Sequence, residues 1–174
     1  MMTAWCRGVT LLFALCFFSP HLRADDSDAA LNADVQRIIA AVKNNDLGLV
    51  VDMMYSPYVE AAGGVDSVKA QAAAAKTVMN AKGLKILSFD CIKPFTPIST
   101  ADRDYVIIPV HTVMEMDSHQ YDITSYWLAI KAHGTAKWQY LSGSGLNKMP
   151  EVKKRLLPDL KDTPLPEIKT KMLN

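Results

Sequence analysis

His111 and Asp122 are the residues of this chain whose types could do chemistry together, with Tyr121 next to Asp122 in the sequence. A histidine paired with a carboxylate can take and return protons near neutral pH, the step that an isomerase or cyclase needs. Such work requires a dry pocket, where burial moves the pKa of the base towards the working pH. The chemistry therefore depends on which face of their strands these side chains occupy. Other candidates are weaker. His111, His119 and His133 are the histidines beyond residue 24, and none has zinc-ligand spacing with cysteine or glutamate. Gly143-Ser144-Gly145 lacks the flanks of a nucleophile elbow or a phosphate loop and reads as the end of a strand. The run Lys153-Lys154-Arg155 is the solvated side of a helix whose buried side is Val152, Leu156 and Leu157. No metal and no cofactor is expected.

The elements that must position His111 and Asp122 are two long strands, Tyr105 to Met116 and His119 to Lys131, around Asp117-Ser118. A two-residue turn there makes Met116 face His119 and fixes every later pair. One face then carries Val106, Ile108, Val110, Thr112 and Met114 with Tyr121, Ile123, Ser125, Trp127 and Ala129. This nearly apolar set belongs against helices, and it offers Thr112, Met114, Tyr121, Ser125 and Trp127 as ligand-binding residues. His111, Glu115 and Asp122 fall on the opposite face, which disfavours an enzyme. A three-residue or bulged turn would invert one strand and bring His111 or Asp122 inward, keeping the enzymatic alternative open. The second face also holds Ile107, Pro109, Tyr126, Leu128 and Ile130, too apolar to meet water alone. A homodimer interface through Ile107, Pro109, Tyr126 and Leu128 is the simplest expectation. A foreign protein partner, or the carboxy-terminal segment folded back, would cover it equally well.

Upstream, Leu31, Val35, Ile38, Ile39 and Val42 recur at helical spacing and predict a helix from Asp28 to Asn44. Asp46 can cap a second through Met54, which Ser56-Pro57 ends. A third, alanine-rich helix spans about Asp66 to Lys82 and closes at Gly83; its run Ala72 to Ala75 suggests close approach to a sheet. Strands are expected at Leu84 to Ile92 and Lys137 to Ser142, with Pro94 to Asp104 a polar connection and Pro150 to Leu157 a last helix. Helices first and an antiparallel meander afterwards make an α+β fold: three helices on a curved four-stranded sheet, with a short helix at the end.

This order, with Asn45-Asp46-Leu47 before the second helix, resembles the nuclear-transport-factor-2-like (SnoaL-like, cystatin-like) superfamily. Met54-Tyr55-Ser56-Pro57, Gly63-Gly64, Lys82-Gly83-Leu84-Lys85-Ile86, Trp138-Gln139-Tyr140 with Gly143, Leu157-Pro158-Asp159-Leu160 and Leu165-Pro166 are similar to small secreted bacterial proteins of unknown function within it. The resemblance implies a cone with an internal pocket. It does not select a function, because the superfamily hosts enzymes, transport factors and plain binding modules.

Residues 1–24 have the parts of a secretory signal peptide. Arg7 precedes an apolar run from Gly8 to Pro20, too short to span a bilayer, and Ala24 supplies a small residue for cleavage. Cleavage would remove Cys6 and Cys16 and leave Cys91, a residue more suited to a buried apolar site than to a disulfide or a nucleophile. Loss of Arg7 and Arg23 takes the formal charge from +1 down by two, to −1, which leaves no electrostatic footprint for nucleic acid. The expectation is one domain over residues 25–160 with a tail over 161–174. It would be periplasmic or secreted, without a membrane span, and bind a small apolar ligand or an envelope protein.

Overall fold

The computed structural model describes residues 24–148 and 150–173, so the expected signal peptide lies, but for Ala24, outside the described residues. The fold is α+β. Four helices come first: α1 (Ala24–Lys43), α2 (Leu47–Asp52), α3 (Ser56–Ala61) and α4 (Val65–Ala81). The strands are β1 (Lys85–Cys91), β2 (Thr96–Ser99), β3 (Arg103–Met116), β4 (His119–Ala132) and β5 (Gln139–Ser142). Helices α5 (Gly143–Lys148) and α6 (Pro150–Leu156), a 3-10 helix (Pro158–Leu160) and strand β6 (Lys169–Met172) complete the order. No described helix is long and apolar enough to cross a membrane.

The sheet is antiparallel and six-stranded, built around the β3–β4 hairpin. Asp117 and Ser118 both take positive φ, at 52° and 63°, as a primed two-residue turn requires. Met116 faces His119, and the register runs unbroken to Arg103 opposite Ala132, so the faces divide as the sequence predicts. The flanking strands share edges in pairs. Along β3, β2 takes the half near Arg103 and β1 the half near the turn, with a bulge between Ile86 and Ser88. Along β4, β5 takes Trp127–Ile130 and β6 takes Tyr121–Thr124.

Each sheet face has its own core. On one, Leu31, Val35 and Ile38 of α1 pack with Phe89, Val106, Ile108, Val110, Ala129, Trp138 and Tyr140. The i, i+4, i+7 spacing of those α1 residues puts them on a single stripe, which is why α1 lies flat on the sheet. On the other face, Tyr105, Ile107, Tyr126, Leu128 and Ile130 pack with Leu146, Leu156, Leu157 and Leu160. Asn45, at φ 56°, turns the chain between α1 and α2, and Asp46 Oδ1 caps α2 by accepting from the Leu49 amide at 3.2 Å. The α2–α3 junction is stitched to β5: Tyr55 N donates to Tyr140 O, and Tyr140 N to Met53 O.

Three local expectations are corrected. Pro57 stands in the first turn of α3 rather than beyond the end of a helix, a position its fixed φ suits. Pro97 lies within β2, part of the stretch expected as a connection, because an edge strand tolerates a missing donor. Helix α4 leans on α2 and α3 through Val68 and Ala72, while Ala73, Ala74 and Ala75 are exposed, so the alanine run does not approach the sheet.

Candidate functional site

The expected ligand-binding residues Thr112, Met114, Tyr121, Ser125 and Trp127 share the α1 face of the hairpin. They do not converge. From Tyr121 to Trp127 the strand runs on the order of 20 Å at about 3.3 Å per residue. Thr112 is buried, the other four are half-buried, and none of them lines any of the five cavities described for this structure.

His111 and Asp122 do meet. His111 Nε2 and Asp122 Oδ1 are 2.9 Å apart on the face opposite α1, with side chains 34 % and 33 % exposed. Tyr121 points to the other face, so the three-residue constellation does not assemble. The carboxylate can orient the imidazole, and Nδ1 is the ring nitrogen not used in that contact. The surroundings are a row of the sheet, Asp90, His111, Thr124 and Lys169 in register. An open row of this kind lacks the water-excluding walls that proton abstraction from carbon needs.

The expected dimer surface has an intramolecular cover. Ile107 is 6 %, Tyr126 1 % and Leu128 0 % exposed beneath Leu146, Leu156, Leu157 and Leu160. Pro109 is half-buried. The apolar residues of α6 and the 3-10 helix meet these side chains, so the carboxy-terminal segment occupies the place assigned to a second copy.

Three tyrosines tie the covering elements to the sheet, each fully buried with its hydroxyl on an acceptor. Tyr140 donates to Asp34 Oδ2 of α1 at 3.1 Å, Tyr126 to Asn147 Oδ1 of α5 at 2.6 Å, and Tyr105 to Asp159 Oδ1 at 2.6 Å. Burial pushes the Tyr126 phenol up to about 12, and burial together with the Asp159 hydrogen bond raises that of Tyr105. Asp159 also accepts from Thr100 Oγ1 at 2.8 Å and from Arg103 Nη1 at 3.2 Å. Burial alone would raise its carboxyl; the Tyr105, Thr100 and backbone hydrogen bonds and the Arg103 charge outweigh it and hold the group below the ordinary carboxylate value. Sequence reasoning passed over this cluster because Asp159 lies more than fifty residues from Thr100, Arg103 and Tyr105. The one cue was Asp159 itself, a charge set within Leu157-Pro158-Asp159-Leu160. Cys91 is half-buried, and burial pushes its thiol up to about 11, which suits a packing residue rather than a nucleophile.

The cleft best built for a ligand lies on the α1 side of the sheet. Its volume is about 550 Å³, and it is lined by Leu31 and Asn32 of α1, Lys93, Pro94 and Phe95 of the β1–β2 connection, Pro97 of β2 and Val106 of β3. The Lys93–Pro94 peptide is cis, and Lys93 Nζ stands 5.6 Å from the centroid of the Phe95 ring. A second depression of about 610 Å³, between Ile123, Ser144, Asn147, Glu167, Ile168 and Thr170, is more open, and four of its six lining residues are polar. Small-molecule sites are concave, mainly apolar and about 300–1,000 Å³, which favours the first. Among the described residues no group of three or more histidine, cysteine, aspartate or glutamate side chains could hold a metal ion. Comparison of the chain with protein-family models, with curated proteins and with solved structures gave no significant match in any of the three.

Proposed function

We propose that this is an exported, non-catalytic binding domain that takes a small, largely apolar ligand between α1 and the β1–β2 connection. The observation that carries the reading is the cleft: five apolar residues (Leu31, Pro94, Phe95, Pro97 and Val106) and two polar ones around about 550 Å³. The resemblance to the nuclear-transport-factor-2-like superfamily supports a ligand on this side, between helix and sheet. The site has moved, however, from the hairpin to the strand connection beside it. The apolar side chains of the opposite face are already matched by the chain's own leucines, which weakens the case for a second copy or an envelope protein there. Export rests on the pattern of residues 1–24.

Native mass spectrometry of protein purified from its own envelope tests the reading. A retained small molecule that is lost in the Phe95→Ala variant is the expected result. A bare monomer from both proteins, with no ligand taken up from an envelope extract, would contradict it.

A further inference from the structure

We propose that the ligand of the Leu31–Phe95–Val106 cleft is an amphiphilic anion, a monocarboxylate with a short aliphatic or aromatic body. The inference rests on the binding reading above and adds the chemical class. The walls select an apolar body, since Leu31, Pro94, Phe95, Pro97 and Val106 outnumber Asn32 and Lys93. The charge selects the head. Lys93 is the one charged residue in the lining, and no carboxylate side chain shares the cleft.

Its ammonium contacts the Phe95 ring and makes no ion pair with any described carboxylate. Lys43, Lys69, Lys85 and Lys131 pair with Asp90, Asp52, Glu115 and Asp104, whereas among the described residues Lys82, Lys137, Lys169 and Lys171 have no carboxylate partner either; Lys93 differs from these in lining the cleft. A cation over a ring at the mouth of an apolar cleft can keep its ring contact while it takes a carboxylate from the ligand. A phosphate carries up to two charges and three acceptor oxygens and calls for several donors, whereas the single ammonium of this cleft is a point charge matched by one carboxylate.

Calorimetric titration of the full chain with decanoate and with decanol separates the outcomes. Lys93→Gln is expected to weaken decanoate binding about three- to tenfold, the scale of a partly exposed ion pair, and to leave decanol unchanged. Phe95→Ala is expected to weaken both. Equal binding of the two ligands, unaltered by Lys93→Gln but weakened by Phe95→Ala, would overturn the anion and leave the cleft standing. No binding of either ligand, or binding indifferent to Phe95→Ala, would overturn the cleft and the anion together. Lys93 is exposed, so circular dichroism of the variant should match that of the parent chain.

Discussion

The Tyr105 hydroxyl and the Asp159 carboxylate, 2.6 Å apart, join a fully buried residue of β3 to the 3-10 helix that closes the outer sheet face. Hydrogen bonds to a charged acceptor contribute about 1.5–3 kcal/mol, so Tyr105→Phe should lower stability by roughly that amount. Asp159→Ala should cost more, because it leaves Tyr105 and Arg103 without their shared acceptor. Urea denaturation midpoints at neutral pH measure both.

The same carboxylate makes stability depend on acid. Asp159 is held below its ordinary value, and so is Asp104, where hydrogen bonds from Ser99 and His133 outweigh burial. A lowered folded pKa means the unfolded chain binds the proton first as pH falls. The stabilisation is therefore complete above the unfolded carboxyl value of about 3.9 and is lost as pH drops through the folded values. Asp159→Asn should flatten part of the fall in urea midpoint between neutral pH and that range.

Gly143 is required by contact rather than by φ. A Cβ there would meet the Tyr126 ring well under 3.0 Å, and that ring is buried and pinned at its hydroxyl by Asn147. Gly143→Ala should destabilise by about 1–3 kcal/mol, the usual range for overpacking. Gly145, where a Cβ would have nothing within 4 Å, is the contrast: Gly145→Ala in α5 should be neutral or stabilise by up to about 1 kcal/mol. Thermal melts of the two variants compare them directly.

Trp138 is 5 % exposed, its Nε1 has no acceptor among the described residues, and Lys131 Nζ stands 4.6 Å from its ring centroid. Phenylalanine would keep an aromatic ring and remove the unmatched donor, so Trp138→Phe should cost less than about 1.5 kcal/mol. Trp138→Ala opens a cavity and should cost about 3–5 kcal/mol. Denaturant titration resolves a gap of that size.

The central hairpin was legible in the sequence because side-chain alternation and the Asp117-Ser118 turn constrain the same register. A slip of one residue would have put Ile108 and Val110 on the wrong face. Prolines were harder. Pro57 and Pro97 carry the same local preference whether they end one element or open another, and only the neighbours, α4 and β3, decide which. The outer face shows a further limit. Ile107, Tyr126 and Leu128 announced that something apolar must cover them, but alternation along a strand does not say whether the cover comes from this chain. The leucines of α6 and the 3-10 helix supplied it. Strand β6, with all four residues exposed, has no burial period to read, and it forms by edge pairing with Tyr121–Thr124. The cleft escaped for a related reason: its walls come from α1, a connection and two strands, brought together by packing and not by spacing.

Methyl NMR during titration with decanoate puts the binding cleft to its most direct test. Shifts should concentrate on the methyls of Leu31 and Val106, with Ile123 and Met114 at the far end of the hairpin unmoved. Shifts centred on Ile123 and Met114, or no saturable shift at Leu31 and Val106, would contradict a ligand site between α1 and the β1–β2 connection.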